Sequence, residues 1–339
     1  AGAANRTAFT TQPQIALRDS AGNVVTGVNA AIGFTVSPNI TVTSATATVN
    51  TTSGIATFAG VKFVGTPGVT YTLDFATATP NPTLTSVAST AISVTHNDAT
   101  HLVVTRAASG GRSGRAFTVQ PIVTIKDRYE NTVTTGPDAN ADIRANGEIT
   151  APNAGVSNPS DDTATAIDGV ATFGALGLTG LVSNTYKLNF NLVGSNTVSG
   201  VSQSNITISY GTANQLALTT QPLGGNATGQ HLATQPVVEI RDGAGNKVAN
   251  STLTVSASIV STSGLILADG SAARLVGATN AAVAGVASFD ALDLYGLPGT
   301  DYTLKFTVTG LGFATANPLQ VTHAVAHHLA ITAQPAGGN

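Results

Sequence analysis

The sequence predicts an all-β protein built from three tandem sandwich domains. Three observations carry this prediction: the same phrases recur three times along 339 residues, the composition favours strands and turns, and no stretch has the composition of a helix. Charged residues make up only 9% of the chain, against about 25% in a typical soluble domain. Valine, alanine, threonine, serine and glycine fill the difference, and β-branched residues suit a pleated, half-buried surface.

The recurring phrases set the length of the repeat. The segments "QPQIALRDSAGNVV" (12–25), "QPIVTIKDRYENTV" (120–133) and "QPVVEIRDGAGNKV" (235–248) align without gaps. Each is followed by "GIATF", "GVATF" or "GVASF", and then by "YTLDF", "YKLNF" or "YTLKF". The tyrosines that open the last phrase, Tyr71, Tyr186 and Tyr302, are 115 and 116 residues apart. Self-similarity at a fixed period indicates repeated copies of one folding unit.

Each repeat has the pattern of an immunoglobulin-like β-sandwich, with short alternating strands between turns. In "VVEIRDGAGNKV" the alternation places Val238 and Ile240 on one face, and Asp242 is expected to bond back to the turn amides. The tyrosine of the last phrase follows a turn, as at the corner before strand F of many sandwiches. The inward positions of this phrase in the third repeat are Tyr302, Leu304 and Phe306.

The phrases "TQP…V.I.D..GN", "GVATF" and "YTL.F" resemble the bacterial immunoglobulin-like domains that occur in tandem in cell-surface and extracellular proteins. Such proteins include adhesin stalks, surface-layer proteins and filament proteins. The resemblance covers the whole chain. It implies a structural or adhesive role at the cell surface and does not imply catalysis.

The boundaries of the repeats do not coincide with the ends of the given sequence. The second and third repeats begin with a strand, "HLVVT" (101–105) or "QLALT" (215–219), which the first repeat lacks. The chain ends with a matching "HLAIT" (328–332). We therefore predict three immunoglobulin-like domains, the first lacking its opening strand, and a C-terminal donor strand. Their boundaries are 1–97, 98–211, 212–324 and 325–339.

Two arrangements explain why the segment that matches the opening strands lies at the C-terminal end. In the first, the terminal strand of one subunit completes the first domain of the next, which is donor-strand complementation, a strand added to an open sheet edge. A head-to-tail contact of this kind need not close, so it builds a filament. In the second, the chain is a segment of a longer covalent array in a surface adhesin or stalk, with glycans among its candidate ligands.

The donor-strand hypothesis names two sets of residues. The side chains expected to enter the neighbouring subunit are Leu329, Ile331, Ala333 and Pro335. The acceptor domain would receive them with Phe9, Ile15, Leu17, Phe58, Tyr71 and Phe75. Because aromatic residues recur at the same positions in every repeat, core packing explains them better than a sugar-binding platform does.

The expected partners are other copies of the chain, with a cell-surface anchor or glycan left open, and charge and composition argue against other classes of partner. The net charge is −3 without a basic block, so we expect no nucleic-acid partner. The chain has no cysteine and no apolar run of about 18 residues, so we expect neither disulfides nor a membrane span. It also has no methionine, which suits a processed secreted chain or a fragment. An extracellular or cell-surface location is therefore predicted.

Histidines gather near the expected domain junctions, at His96, His101, His323, His327 and His328. Imidazoles could bridge two domains through zinc, copper or nickel. The middle junction has a tyrosine and a glutamine at the matching positions. A required metal would be expected at every junction, so polar strand ends explain the histidines better, and we predict no metal.

Two sets of aspartates could be interpreted as calcium-binding sites, because calcium takes oxygen ligands in loops. One set, Asp19, Asp127 and Asp242, recurs before the same turn in each repeat. The other set lies in one polar loop of the second repeat: Asp161, Asp162 and Asp168. Because the recurring set offers a single carboxylate per turn, a hydrogen-bonded turn explains it without an ion.

No motif for catalysis is present. The sequence has no nucleophile elbow, phosphate loop or paired-carboxylate motif. We predict that the protein is not an enzyme and needs no cofactor. Six sequons would accept glycans if the organism has the machinery: Asn5, Asn39, Asn50, Asn205, Asn226 and Asn250.

Overall fold

The computed structural model describes residues 2–43, 46–50, 52–78, 84–149, 162–260, 267, 270–327 and 329–334. Over these residues the chain is all-β, as predicted: it forms thirty strands and one short 3-10 helix, Pro137–Asn140. In this part of the chain, no helix is long and apolar enough to cross a membrane.

Buried side chains form three hydrophobic clusters among the described residues, and we call the parts that hold them units one, two and three. The cluster of unit one extends from Leu17 to Val94, that of unit two from Ala99 to Ile208, and that of unit three from Leu216 to Val321. Each cluster therefore lies within one of the sequence repeats.

Unit one contains ten strands. Their bounds are Gly2–Ala4 (β1), Gln14–Ala16 (β2), Ala31–Ser37 (β3), Thr41–Thr43 (β4), Thr46–Asn50 (β5), Ile55–Thr57 (β6), Lys62–Val64 (β7), Thr70–Thr77 (β8), Val87–Ala88 (β9) and Ile92–Thr95 (β10). Most belong to one sheet with the order β1-β10-β8-β3-β5-β6-β2, and β9 also pairs with β8. The remaining two strands, β4 and β7, pair with each other.

Unit two contains eleven strands in three sheets. Their bounds are Ala99–Arg106 (β11), Gly111–Arg112 (β12), Arg115–Ala116 (β13), Ile122–Asp127 (β14), Asp142–Ile149 (β15), Thr163–Thr165 (β16), Val170–Thr172 (β17), Gly177–Leu178 (β18), Tyr186–Leu192 (β19), Val201–Ile206 (β20) and Ile208–Ser209 (β21). The sheet orders are β11-β14-β17, β16-β15-β19-β20 and β18-β13-β12-β21. The first two sheets have the strand order of an immunoglobulin-type sandwich.

Unit three contains nine strands and repeats this arrangement. Their bounds are Ala213–Thr220 (β22), Val237–Asp242 (β23), Thr254–Ile259 (β24), Arg274–Val276 (β25), Thr279–Ala281 (β26), Val286–Ser288 (β27), Asp293–Tyr295 (β28), Leu304–Thr307 (β29) and Phe313–Thr315 (β30). The sheet orders are β22-β23-β27, β26-β24-β29-β30 and β25-β28.

The inward positions predicted from alternation are confirmed. Val238 and Ile240 on β23 are fully buried. The same holds for the three inward positions of "YTLKF", which are Tyr302, Leu304 and Phe306. A phenylalanine pair recurs at the centre of each core, with ring centroids 5.5 to 5.7 Å apart. Tilted aromatic pairs at this spacing stabilise a core beyond the area that they bury.

The corner tyrosine of each unit fixes the preceding loop through its hydroxyl group. Tyr302 Oη accepts the Leu297 N–H at 2.6 Å, and the equivalent tyrosine of unit one bonds in the same way. In unit two, Tyr186 Oη instead donates to the Leu181 carbonyl at 2.9 Å. The predicted corner is thus present in all three units.

The glutamine of the recurring "QP" phrase has a role that the sequence did not reveal. Gln120 Nε2 donates to the Leu176 carbonyl at 3.0 Å, and its Oε1 accepts the Leu176 N–H at 2.9 Å. Gln235 makes the same two bonds with Leu292. The next residue is a proline, which has no N–H, so the glutamine side chain supplies backbone-like pairing at this point.

We expect Tyr302→Phe to lower the melting temperature of unit three, because the Leu297 N–H loses its acceptor. The cost should be about 0.5–1.5 kcal/mol, which scanning calorimetry would detect. Tyr295→Phe is the matched control, because the Tyr295 hydroxyl makes no hydrogen bond within the described residues while its ring stacks on Arg274. Equal effects of the two changes would contradict the assigned role.

Candidate functional site: an open groove in unit one

Units two and three each begin with a long opening strand. β11 pairs antiparallel with β14, and β22 pairs with β23 in the same register, with register shifts at equivalent positions. Leu102 of β11 is 3% exposed and Leu216 of β22 is 9% exposed, so each strand contributes a leucine to its core. The β11 strand also reaches the segment before β20, because the Leu102 N–H donates to the Ser199 carbonyl at 2.9 Å.

In unit one, β2 is the equivalent of β14 and β23, the two strands that pair with the opening strands. Within the described residues, β2 is paired along one edge. Its partner there is β6, through pairs from Gln14–Thr57 to Ala16–Ile55. No described strand occupies the position that β11 and β22 occupy in the other units. An edge of this kind presents backbone donors and acceptors to any strand that can reach it.

A groove follows this edge of β2. It consists of two adjoining cavities of about 480 and 720 Å³. Both cavities are lined by Gln14, Ile15, Phe75 and Val87. The groove follows the chain from residue 9 to residue 20.

Beside this groove, one core position of unit one is less buried than its equivalents in units two and three. Ile15 on β2 is only half-buried, whereas Val123 and Val238 at the same position of β14 and β23 are fully buried. In the other two units the opening strand lies beside this position, and its leucine packs into the core. Phe9 and Ile15 are therefore partly accessible at the groove of unit one, whereas Leu17 and Phe75 are buried.

Residues 324–334, which we call the tail, contain the segment that matches the opening strands. Each described tail residue is exposed. Leu329, which aligns with the buried leucines of β11 and β22, is 101% exposed, and Ile331 is 74% exposed. Ala333 is exposed as well, and Pro335 lies outside the described residues. The leucine at this position is thus buried in two units and exposed in the tail.

The predicted acceptor residues divide into two groups. Four of them line the groove: Phe9, Ile15, Leu17 and Phe75. The other two lie behind it in the core: Phe58 and Tyr71. The ring of Phe58 contacts that of Phe75, with centroids 5.5 Å apart, so the core supports the groove wall. The pairing of these residues with the tail stays a prediction.

The recurring aspartate joins a turn to the preceding unit. Asp242 Oδ1 accepts the N–H groups of Ala244 and Asn246 at 3.0 and 2.9 Å, which confirms the predicted turn. Its Oδ2 accepts the Gly211 N–H at 2.7 Å, from the segment that leads out of unit two. The carboxylate is therefore buried at the junction and hydrogen-bonded on both oxygens.

Asp127 repeats this arrangement, and Asp19 has half of it. Asp127 Oδ2 accepts the Asn97 N–H at 2.9 Å from the segment that leads out of unit one. Asp19 is exposed, and within the described residues its Oδ2 accepts only Asn23 Nδ2, at 3.0 Å. This side-chain bond is the main cause that lowers the pKa of Asp19. Among the described residues, Asp19 Oδ2 has no counterpart of the backbone donor that Asp127 and Asp242 each receive from the preceding segment.

The pKa of Asp242 results from opposing effects. Burial raises the pKa, whereas hydrogen bonds from Asn246, Gly211 and Ala244 lower it further than burial raises it, so the pKa lies below its ordinary value. The pKa of Asp127 is lowered by the same balance. Both carboxylates are therefore charged acceptors at neutral pH, and hydrogen bonds to charged groups are stronger than neutral ones.

Asn246 connects units two and three. Sequence reasoning assigned it to the turn and did not foresee this contact. Its Oδ1 accepts the Val182 N–H at 2.9 Å, and its Nδ2 donates to the Gly180 carbonyl at 2.8 Å. Pro67 and Pro298 occupy the position of Val182, four residues before the corner tyrosine, and neither has an N–H. The recurring "GN" phrase was the available signal, but the partner lies in another repeat.

Two of the junction histidines, His96 and His101, contact side chains of unit two. His96 Nε2 lies 2.8 Å from Thr135 Oγ1, and His101 Nε2 lies 3.0 Å from Glu130 Oε1. Within the described ranges, no group of three or more histidine, aspartate or glutamate side chains could hold a metal ion. At His96 and His101 the observed contacts are local ones within the described residues.

The aspartates of the polar loop have separate partners. Asp162 Oδ2 lies 3.4 Å from Arg144 Nε. The Asp168 N–H donates to Asn140 Oδ1 at 3.4 Å. Asp161 lies outside the described residues. In the described part of this loop, no group of three or more acidic or histidine side chains comes together.

The sequons differ in accessibility. Four of them present an exposed asparagine: Asn39, Asn205, Asn226 and Asn250. The expectation for Asn5 is corrected, because its side chain is buried and its Oδ1 accepts the Gly65 N–H at 3.1 Å. A folded unit one cannot present this amide for glycosylation. The side chain of Asn50 lies outside the description.

Comparison with known proteins returns weak structural similarities. No protein-family model and no curated protein matches the chain. The chicken CNTN1 FN1–FN3 domains have a TM-score of 0.30 and 11% identity, over 91% of this chain and 92% of theirs. Drosophila OTK extracellular domains 3–5 have a TM-score of 0.22 and 8% identity, over 96% and 94%.

A β-glycosidase from Bacteroides vulgatus is also similar, with a TM-score of 0.26 and 12% identity. The match covers 66% of this chain and 25% of the glycosidase, so the chain spans about a quarter of that protein's length. A similarity of this size gives no support for an enzymatic function.

Acid should weaken unit three through Asp242. Because its folded pKa lies below the unfolded value of about 3.9, the unfolded state binds more protons as the pH falls. The stabilisation is present above the unfolded pKa and is lost as the pH falls through the folded pKa. Hydrogen exchange of residues 212–324 between pH 5 and about pH 2 should show this loss. It should be smaller in Asp242→Asn, and an unchanged pH dependence would contradict the assignment.

Proposed function

We propose that this protein is a structural subunit of an extracellular filament. Its three immunoglobulin-like domains would be residues 1–97, 98–211 and 212–324, and residues 325–339 would complete the first domain of the next subunit by donor-strand complementation. The single observation that carries the proposal is the match between an apolar groove along β2 and an exposed tail whose sequence equivalents fill that position in units two and three.

The chemistry of the tail suits the groove. The inward residues of β11 are Leu102 and Val104, which pack against the core of unit two. The tail offers Leu329 and Ile331 at the same spacing, and apart from Val325 its other described residues are small or polar. Alternation with period two places both apolar side chains on one face of a strand. One face would cover Ile15 while the other remained in solvent.

The energetics favour assembly only onto a preformed acceptor. Burying two large apolar side chains contributes roughly 3–6 kcal/mol, at about 1.5–3 kcal/mol each. Ladder hydrogen bonds add about 0.5–1.5 kcal/mol each, against an association cost of ~4–15 kcal/mol. In unit one the groove walls already rest on a packed aromatic core, which reduces the ordering that binding requires.

The resemblance to bacterial tandem immunoglobulin-like repeats supports an extracellular or cell-surface setting. The same resemblance supports the alternative, in which a covalently preceding repeat of a long adhesin or stalk fills the groove. Intact-mass measurement on isolated and denatured material separates the two. A species near 33.8 kDa from dissolved fibres is expected for a subunit, and a much larger chain would favour the array.

Leu329→Asp should abolish fibre formation and leave a folded monomer, because a charge cannot enter the apolar floor without a partner. Leu329 is fully exposed in the single chain, so the substitution has no core to disrupt. Electron microscopy and sedimentation would measure assembly.

Val325→Asp is the matched control. Val325 is also exposed, and the equivalent residue of the first junction is already an aspartate, Asp98, which is exposed. This variant should assemble as the parent does. Fibres from Leu329→Asp, or equal loss in both variants, would refute the role of the tail.

A further inference from the structure

We infer that the contact between subunits has the same hydrogen bond and the same strand register as the two junctions between units within the chain. In this contact, Asp19 Oδ2 accepts the Ala324 N–H of the donor subunit, and the donor strand pairs with β2 in one register. This inference rests on the proposed function and adds the residue contacts to it. Its partner is a second copy of this chain, because the two internal joints are built from the same phrases that occur in the tail and in unit one.

The pairing of the opening strands within units two and three defines the register expected for the donor strand. In unit two, Leu102 lies opposite Ile125 and Val103 lies opposite Thr124. The corresponding pairs of unit three have the same spacing. Transferring this register by sequence gives three donor–acceptor pairs: Leu329 with Leu17, Ala330 with Ala16, and Ile331 with Ile15. Both leucine and isoleucine of the tail then face residues that line the groove.

The aspartate defines the end of that register. Asn97 and Gly211 stand five residues before the core leucine of their opening strands, and each donates its N–H to the aspartate of the following unit. Ala324 stands five residues before Leu329. It is exposed and makes no hydrogen bond through its N–H within the described residues. Asp19 is the remaining aspartate, with an accessible Oδ2.

A slipped register would lose both sets of contacts. A shift by one residue turns the apolar side chains toward solvent. A shift by two keeps the face but removes the Ala324 N–H from Asp19 and displaces Leu329 from Leu17. The carboxylate therefore acts as a positioning residue, and the apolar floor supplies the contact area.

A cysteine pair tests the register directly, because the chain has no other cysteine. Residues directly opposite on antiparallel strands have Cβ atoms about 4.5–5.5 Å apart, close to disulfide geometry. Fibres of Ala16→Cys/Ala330→Cys, after oxidation, should give a ladder of covalent oligomers on a denaturing gel. The mismatched pair Arg18→Cys/Ala330→Cys lies two residues out of register on the same face and should give little of it.

A double-mutant cycle tests the hydrogen bond. Asp19→Asn replaces the acceptor oxygen with an amide donor, and Ala324→Pro removes the N–H from the other partner. Each should raise the critical concentration for assembly by roughly tenfold, since the bond is to a charged group. The two effects should not add, because coupled residues share one interaction. Asp290→Asn, an exposed carboxylate of unit three, controls for the change in charge.

The outcomes separate this inference from the proposed function. Fibres that crosslink through the mismatched pair, or through neither pair, overturn the register and leave donor-strand assembly standing. Additive effects of Asp19→Asn and Ala324→Pro overturn the hydrogen bond alone. If the parent chain forms no fibres at protein concentrations at which Leu329→Asp is also monomeric, both the inference and the proposed function fail.

Discussion

The edge of each sandwich, part of its core and its junction with the preceding unit depend on one contact. This contact is the pairing of an opening strand with the strand that leads to the recurring aspartate. In units two and three, this pairing closes one edge of the sandwich, places a leucine in the core and brings the preceding segment onto the carboxylate. In unit one, the same acceptor strand has an accessible edge and an apolar groove beside it. Among the described residues, this strand lies beside its acceptor strand in units two and three and not in unit one.

The carboxylate couples two events that would otherwise be independent. Its Oδ1 is occupied by the turn in every unit, so the side chain is held in place before anything docks. Its Oδ2 then receives a backbone N–H from the preceding segment in units two and three. Docking of the strand and alignment of the adjacent unit are therefore linked through a single side chain, which stays charged because its hydrogen bonds outweigh the effect of burial.

Sequence reasoning recovered the features that repeat and missed those that join repeats. The all-β class, the buried faces of "VVEI" and "YTLKF" and the corner tyrosine followed from period-two alternation and turn chemistry, which are local properties. The pairing of Gln235 with Leu292, and the bond from Gly211 to Asp242, depend on residues brought together by the fold. Burial of Asn5 was likewise invisible, because a sequon describes three residues and not their surroundings.

The contact of Asn246 with the loop of unit two depends on the order of the units along the chain. This asparagine needs an N–H from the residue four places before the corner tyrosine, and Val182 provides one. Pro67 and Pro298 hold that place in the other two repeats and cannot provide it. The repeats are therefore not interchangeable modules: in a shuffled chain with unit three directly behind unit one, Asn246 would face Pro67 and lose that donor.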